Sequence, residues 1–161
     1  MNGSFDTGNF NGWTVFGNTS AAFVSGAAAR TLPGAAVFSD GVTGAGIFQS
    51  LATTPGNSYE ISYFLRNENG QGSNFFSISW GSSLVDSLQD APVFFYPPFS
   101  HQVVATTLST ELRFFFQGEA LWWIDDIVVT DLGSQGRAAV PPRGLPLRAA
   151  RPRGRRGRPP P

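Results

Sequence analysis

The chain has 161 residues, room for one domain and a short extension, and its formal charge is zero. That zero conceals two unlike segments: residues 1–136 carry all eleven acids and only Arg30, Arg66 and Arg113, a formal charge of −8, whereas residues 137–161 carry eight Arg and no acid. There is no Cys, which excludes disulfides and thiolate metal sites, and no apolar run is long enough to cross a membrane as a helix.

Short strand-like runs alternate with turn clusters along the first segment. Gly12–Phe16 follows an Asn11-Gly12 turn, Ala21–Val24 and Ala35–Ser39 are brief candidates, and Gly46–Leu51 ends before the Pro55-Gly56-Asn57 turn. Tyr59–Arg66 is the clearest strand. Tyr59, Ile61, Tyr63 and Leu65 share one face, with Glu60, Ser62, Phe64 and Arg66 on the other. Asn67–Ser73 reads as a hairpin loop, leading to Phe75–Trp80 with Phe76, Ile78 and Trp80 on one side. Phe94–Pro98 is an aromatic, Pro-rich loop or edge. Phe99–Ala105, Glu111–Gln117 and Leu121–Thr130 complete the set.

Nine or ten short strands at this spacing, with no sustained helical period, predict an all-β sandwich of two antiparallel sheets over residues 1–133. Trp13, Ile61, Tyr63, Ile78 and Trp80 are the expected core. Residues 134–161, rich in Arg and Pro from Arg137 onward, have no means of building a core and are expected to be a disordered tail.

Catalytic signatures are missing from the sequence. His101 is the single His, read as a surface residue, and no Gly-x-Ser-x-Gly elbow, phosphate loop or dinucleotide fingerprint occurs. Glu60, Glu68, Glu111 and Glu119 are too scattered to single out a glycosidase pair. The expectation is a binding or structural domain rather than an enzyme. The Arg-rich tail lacks aromatics for stacking on bases, so no nucleic-acid partner is expected.

Three segments in order carry a resemblance. Asn2-Gly3-Ser4-Phe5-Asp6-Thr7-Gly8 through Trp13, then Leu51–Gly56 with Tyr59–Arg66, then Trp122-Trp123-Ile124-Asp125-Asp126-Ile127 together resemble the jelly-roll, carbohydrate-binding-module-like domain of bacterial PEP-CTERM (exosortase-sorted) surface proteins. The resemblance covers roughly residues 2–131 and implies a jelly-roll β-sandwich, a monomer secreted or held at the cell surface, and carbohydrate or exopolysaccharide as partner. It also implies a structural calcium where the first and last strands meet, held by Asp6, Asp125 and, less firmly, Asp126. Asp6 stands where Glu is common, and its arm is shorter. The alternative is that these acids cap turns.

Met1 leads straight into Asn2-Gly3-Ser4-Phe5-Asp6, so these first residues are not expected to be a signal peptide. The tail has Ala139-Val140-Pro141 where such proteins carry Val-Pro-Glu-Pro, but Pro142 replaces Glu and no apolar helix follows, the pattern of a frame-shifted sorting tail.

Sugar recognition pairs flat apolar rings with polar neighbours. Phe64 and Arg66 on one strand, Arg113, Phe115 and Gln117 on another, and Ser77 and Ser79 on a third would make such a face if the strands are neighbours. Trp122 is carried as a further ligand contact, although Trp122 and Trp123 must point to opposite faces. Against this, Arg66 could pair with Glu60 or Glu111, and one of three consecutive Phe at 114–116 must face outward in any case. Two other readings stay open: a structural or adhesive surface protein without sugar binding, and an accessory domain separated from a glycoside-active enzyme.

Overall fold

The computed structural model describes residues 2–39, 43–70 and 72–134. Ten strands form two five-stranded sheets. Sheet one runs β1 (Thr14–Gly17), β4 (Ala45–Ala52), β9 (Ser109–Gly118), β6 (Asn74–Trp80), β7 (Ser83–Gln89). Sheet two runs β2 (Ala22–Ser25), β3 (Ala35–Phe38), β10 (Trp122–Ser134), β5 (Asn57–Asn67), β8 (Pro98–Val104). Every pairing is antiparallel. The one helical element among the described residues is a 3-10 turn at Thr19–Ala21. The all-β, two-sheet sandwich expected from sequence is the fold observed.

Period-two alternation builds the core. Tyr59, Ile61, Tyr63 and Leu65 of β5 face Phe76, Ile78 and Trp80 of β6 and Leu112, Phe114 and Phe116 of β9, all buried. The rings interlock: Tyr63 lies parallel to Phe99 at 5.2 Å and meets Phe114 edge-on at 5.3 Å, and Phe38 stacks on Phe116 at 4.2 Å. Each fully buried ring contributes roughly 1.5–3 kcal/mol of hydrophobic stabilisation. Trp13, named from sequence with four others as core, is buried as they are.

The two ends of the domain meet. Ile127 N–H donates to the Gly3 carbonyl at 3.0 Å, Trp13 Nε1 donates to the Asn2 carbonyl at 3.0 Å, and Phe5 is fully buried against Trp13. Only Gly fits at position 3, because a Cβ there would lie 1.8 Å from the Ile127 carbonyl oxygen.

Three expectations change. Asn67–Ser73 is not a hairpin: β5 lies in sheet two and β6 in sheet one, so the segment arches between layers. Asn67 and Asn74 brace the arch by donating to the Ala91 carbonyl at 2.9 and 3.1 Å. Strand β7 carried no sequence signal because it is an edge strand with mostly exposed side chains. His101 is half-buried rather than superficial. Its Nε2 lies 3.1 Å from Tyr63 Oη and 3.8 Å from Asp86 Oδ2, linking β8 to β7 across the open side of the sandwich. The Arg-rich tail lies outside the described residues.

Candidate functional site

The outer face of sheet one carries the candidate surface. Register sets Phe16 beside Gly46, Gly46 beside Phe115, and Phe115 beside Ser77; one step along, Thr14, Phe48, Arg113 and Ser79 follow one another across the same strands. Strand β4 and its approach contribute Gly44 and Gly46, and those two glycines decide how the rings lie. A Cβ at Gly46 would sit 2.5 Å from Phe16 Cζ, and one at Gly44 would sit 2.3 Å from Phe115 Cζ. The two Phe therefore fold over β4 from opposite sides, a glycine-covering arrangement that sheets use to fill missing side chains. Their planes are within 19° at a centroid spacing of 6.1 Å. Phe48 extends the band on one side at 6.1 Å from Phe16, and Phe75 on the other at 6.3 Å from Phe115. All four rings are half-buried, so each keeps part of its surface open to solvent.

Polar groups stand beside the rings. Arg113 places its guanidinium 4.4 Å from the Phe16 centroid and 5.2 Å from Phe48, and its Nε donates to Glu111 Oε1 at 2.8 Å. Two rings and a carboxylate thus hold the Arg in place, while its side chain remains 39% exposed and able to donate further hydrogen bonds. Gln117 shares this face, opposite Phe75.

The six ligand candidates do not form one surface. Arg113, Phe115 and Gln117 lie on the outer face of sheet one. Phe64 and Arg66 lie on the outer face of sheet two, because β5 and β9 belong to different layers. There, Arg30 covers Phe64 at 3.5 Å from its centroid. Arg66, 15% exposed, is flanked by Phe95 at 5.0 Å and Trp123 at 5.7 Å and pairs with Glu68 at 3.3 Å, not with Glu60 or Glu111. Ala28, Ala29 and Tyr96 roof Trp123 over, so this face is lidded by loops. Trp122 points inward and is 1% exposed, which removes it from any surface site. Phe16, Phe48 and Phe75 went unrecognised as site residues; glycines alternating with the aromatic at Gly44, Gly46 and Phe48 were the available signal.

The acid pair sits at the edge of the lidded face. Asp125 is fully buried, and its carboxylate accepts from Thr31 N–H at 2.9 Å and Asp126 N–H at 2.8 Å. Burial pushes its pKa up to about 6, against the opposing pull of those two hydrogen bonds. Asp126, at a β-bulge with φ +52°, pairs with Arg30 and accepts from Thr31 Oγ1 at 2.8 Å. Asp6 is exposed and accepts from Ser4 Oγ at 2.8 Å. These residues fit a calcium shell in part: two carboxylates stand side by side, but no group of three Asp, Glu, His or Cys side chains suited to a metal occurs among the described residues. An ion here would have to draw backbone carbonyls and displace Arg30 from Asp126.

No family model and no curated protein sequence matches the chain. Solved structures do. TmCBM61, solved in complex with β-1,4-galactotriose, superposes with a TM-score of 0.60 at 17% identity, covering 81% of this chain and 96% of that one. The CBM22-1 xylan-binding domain of Paenibacillus barcinonensis Xyn10C gives 0.60 at 15% identity, covering 80% and 90%. A family 16 carbohydrate-binding module gives 0.59 at 15% identity, covering 81% and 97%. The enzymatically active domain of bacteriophage CBA120 tailspike protein 4 also matches, at 0.60 and 17% identity, but this chain spans only 21% of it. The chain is therefore similar in fold to carbohydrate-binding modules.

Proposed function

We propose that this domain binds carbohydrate without catalysis, on the outer face of sheet one. The observation that carries the reading is the pair of Phe rings laid over Gly44 and Gly46, with Arg113 and Glu111 fixed beside them. Rings provide apolar planes for sugar C–H faces; Arg113 donates and Glu111 accepts, the two needs of a hydroxyl. The fold shared with modules described as bound to galactotriose or as xylan-binding supports the same reading.

A glycan array on the full chain tests it. Binding should fall at least tenfold in Phe115→Ala and in Arg113→Met, and stay unchanged in Phe64→Ala, which sits on the lidded face. Absence of binding to any glycan would favour the structural or adhesive reading. The accessory-domain reading has its own support: a similar CBM22-1 module is joined to a GH10 module in a xylanase.

The location proposed is outside the cell or at its surface, as part of an exosortase-sorted protein, the residues at 2–13, 51–66 and 122–129 being the support. We also propose calcium at the junction of residues 3–6 with β10, supported by the adjacent Asp125 and Asp126 carboxylates. Calcium should raise the unfolding midpoint, more strongly in Arg30→Ala, where the competing cation is gone, and not in Asp125→Ala. An unchanged midpoint in both wild type and Arg30→Ala rejects the ion.

A further inference from the structure

A cleft of about 620 Å³ lies at the end of the sandwich, where the β6–β7 turn meets the segment joining β8 to β9. Its size is that of a small-molecule site. Trp80, Leu84, Gln102, Val104, Thr107 and Glu111 are among the residues lining it. The walls are preformed. Trp80 Nε1 donates to the Val104 carbonyl at 3.2 Å, Thr53 Oγ1 to the Thr107 carbonyl at 2.7 Å, and Thr107 Oγ1 to the Ser109 carbonyl at 2.8 Å.

Two of these residues belong to the aromatic face as well. Glu111 accepts from Arg113 on that face, and its own carbonyl accepts from Gly81 N–H at 2.8 Å in the β6–β7 turn. Leu84, 66% exposed, pairs with Ser79, which stands beside Arg113. Along β9 the order is Phe115, Arg113, Glu111, then the cleft, a path of about 14 Å from Phe115 to Glu111 at the strand rise. Around the cleft, hydroxyls and amides alternate with apolar side chains. Glu111 is the one ionisable side chain among its lining residues, and Arg113 already compensates it. The lining thus suits an uncharged, hydroxyl-bearing group with an apolar side.

We propose that this cleft receives the terminal unit of a neutral oligosaccharide whose preceding units lie along β9 on the aromatic face. The inference rests on the carbohydrate-binding reading of that face. It makes the site closed at one end, so free chain termini bind in a way that polymer interiors do not.

Titration calorimetry on the full chain, with length series of β-1,4-galacto-oligosaccharides and xylo-oligosaccharides and with the corresponding polymers, tests it. Thr106→Trp and Thr107→Trp fill the cleft from exposed lining positions away from the aromatic face, and Phe115→Ala strips the face. Both Trp variants should weaken oligosaccharides at least tenfold while polymer binding changes less than twofold, and Phe115→Ala should weaken both. Wild-type affinity for oligosaccharides in both Trp variants, with loss in Phe115→Ala, overturns the cleft and leaves the aromatic face standing. No binding of either series or polymer to the wild type overturns both.

Discussion

Asp125 is a buried carboxylate whose chemistry its surroundings alter. Its pKa rises from 3.8 to about 6 on folding because burial disfavours the charged form more than two backbone N–H bonds favour it. The folded state therefore holds a proton in the interval between those values that the unfolded state has released. This contribution to stability is fully present below the unfolded value and is lost as pH rises through about 6. We expect wild type to lose up to about 3 kcal/mol relative to Asp125→Asn between those limits. Urea unfolding of both proteins at pH 4 and pH 7 measures that difference; a constant difference rejects it. Asn offers one acceptor oxygen to two N–H groups, so the variant is less stable than wild type at low pH.

Strands β4, β5 and β9 show what an element does that its residues alone do not reveal. In β4, Gly46 faces outward with the Phe114 carbonyl 2.2 Å from where a Cβ would stand and the Phe16 ring at 2.5 Å. The ring can swing aside and the backbone cannot, so Gly46→Ala should destabilise by about 1–3 kcal/mol, read from the urea midpoint. It should weaken sugar binding too, since the displaced Phe16 carries Arg113. The arch from β5 to β6 makes a similar point. Asn74 exchanges two hydrogen bonds with Ala91, accepting at 3.0 Å and donating at 3.1 Å, while itself 1% exposed. Asn74→Ala orphans the buried Ala91 N–H, while the Ala91 carbonyl keeps its bond from Asn67, and should cost about 1–3 kcal/mol in the same assay. Alternation along β5, β6 and β9 was legible because one side of each is buried and polar residues mark the other. Layer membership was not: period two says which residues of a strand share a side, and nothing about which sheet that strand joins. Hence Phe64 and Arg66 looked like companions of Arg113 and Phe115, although a whole core separates them. The arch was misread for the same reason, since Asn-Gly turns serve hairpins and layer crossings alike.

At the scale of the whole molecule, the two outer faces differ in kind. Sheet two is roofed by loops that bury Trp123 and cap Phe64, whereas the outer face of sheet one has its Phe band open to solvent. Between them lies one cluster of buried residues drawn from both sheets, in which Trp122 contacts Phe76 and Phe116, and Tyr63 contacts Phe114. With a shared core, neither sheet can unfold while the other persists, so heat should produce one transition. A ligand held on sheet one then stabilises sheet two equally. At a ligand concentration 100 times Kd the native state gains about 2.7 kcal/mol. For a domain of this size that shifts Tm by roughly 10 °C. Differential scanning calorimetry with a binding glycan should show the entire transition moving upward as a single peak. A split, with one component left at the unliganded temperature, would mean that the two layers unfold separately and that the shared aromatic core does not couple them.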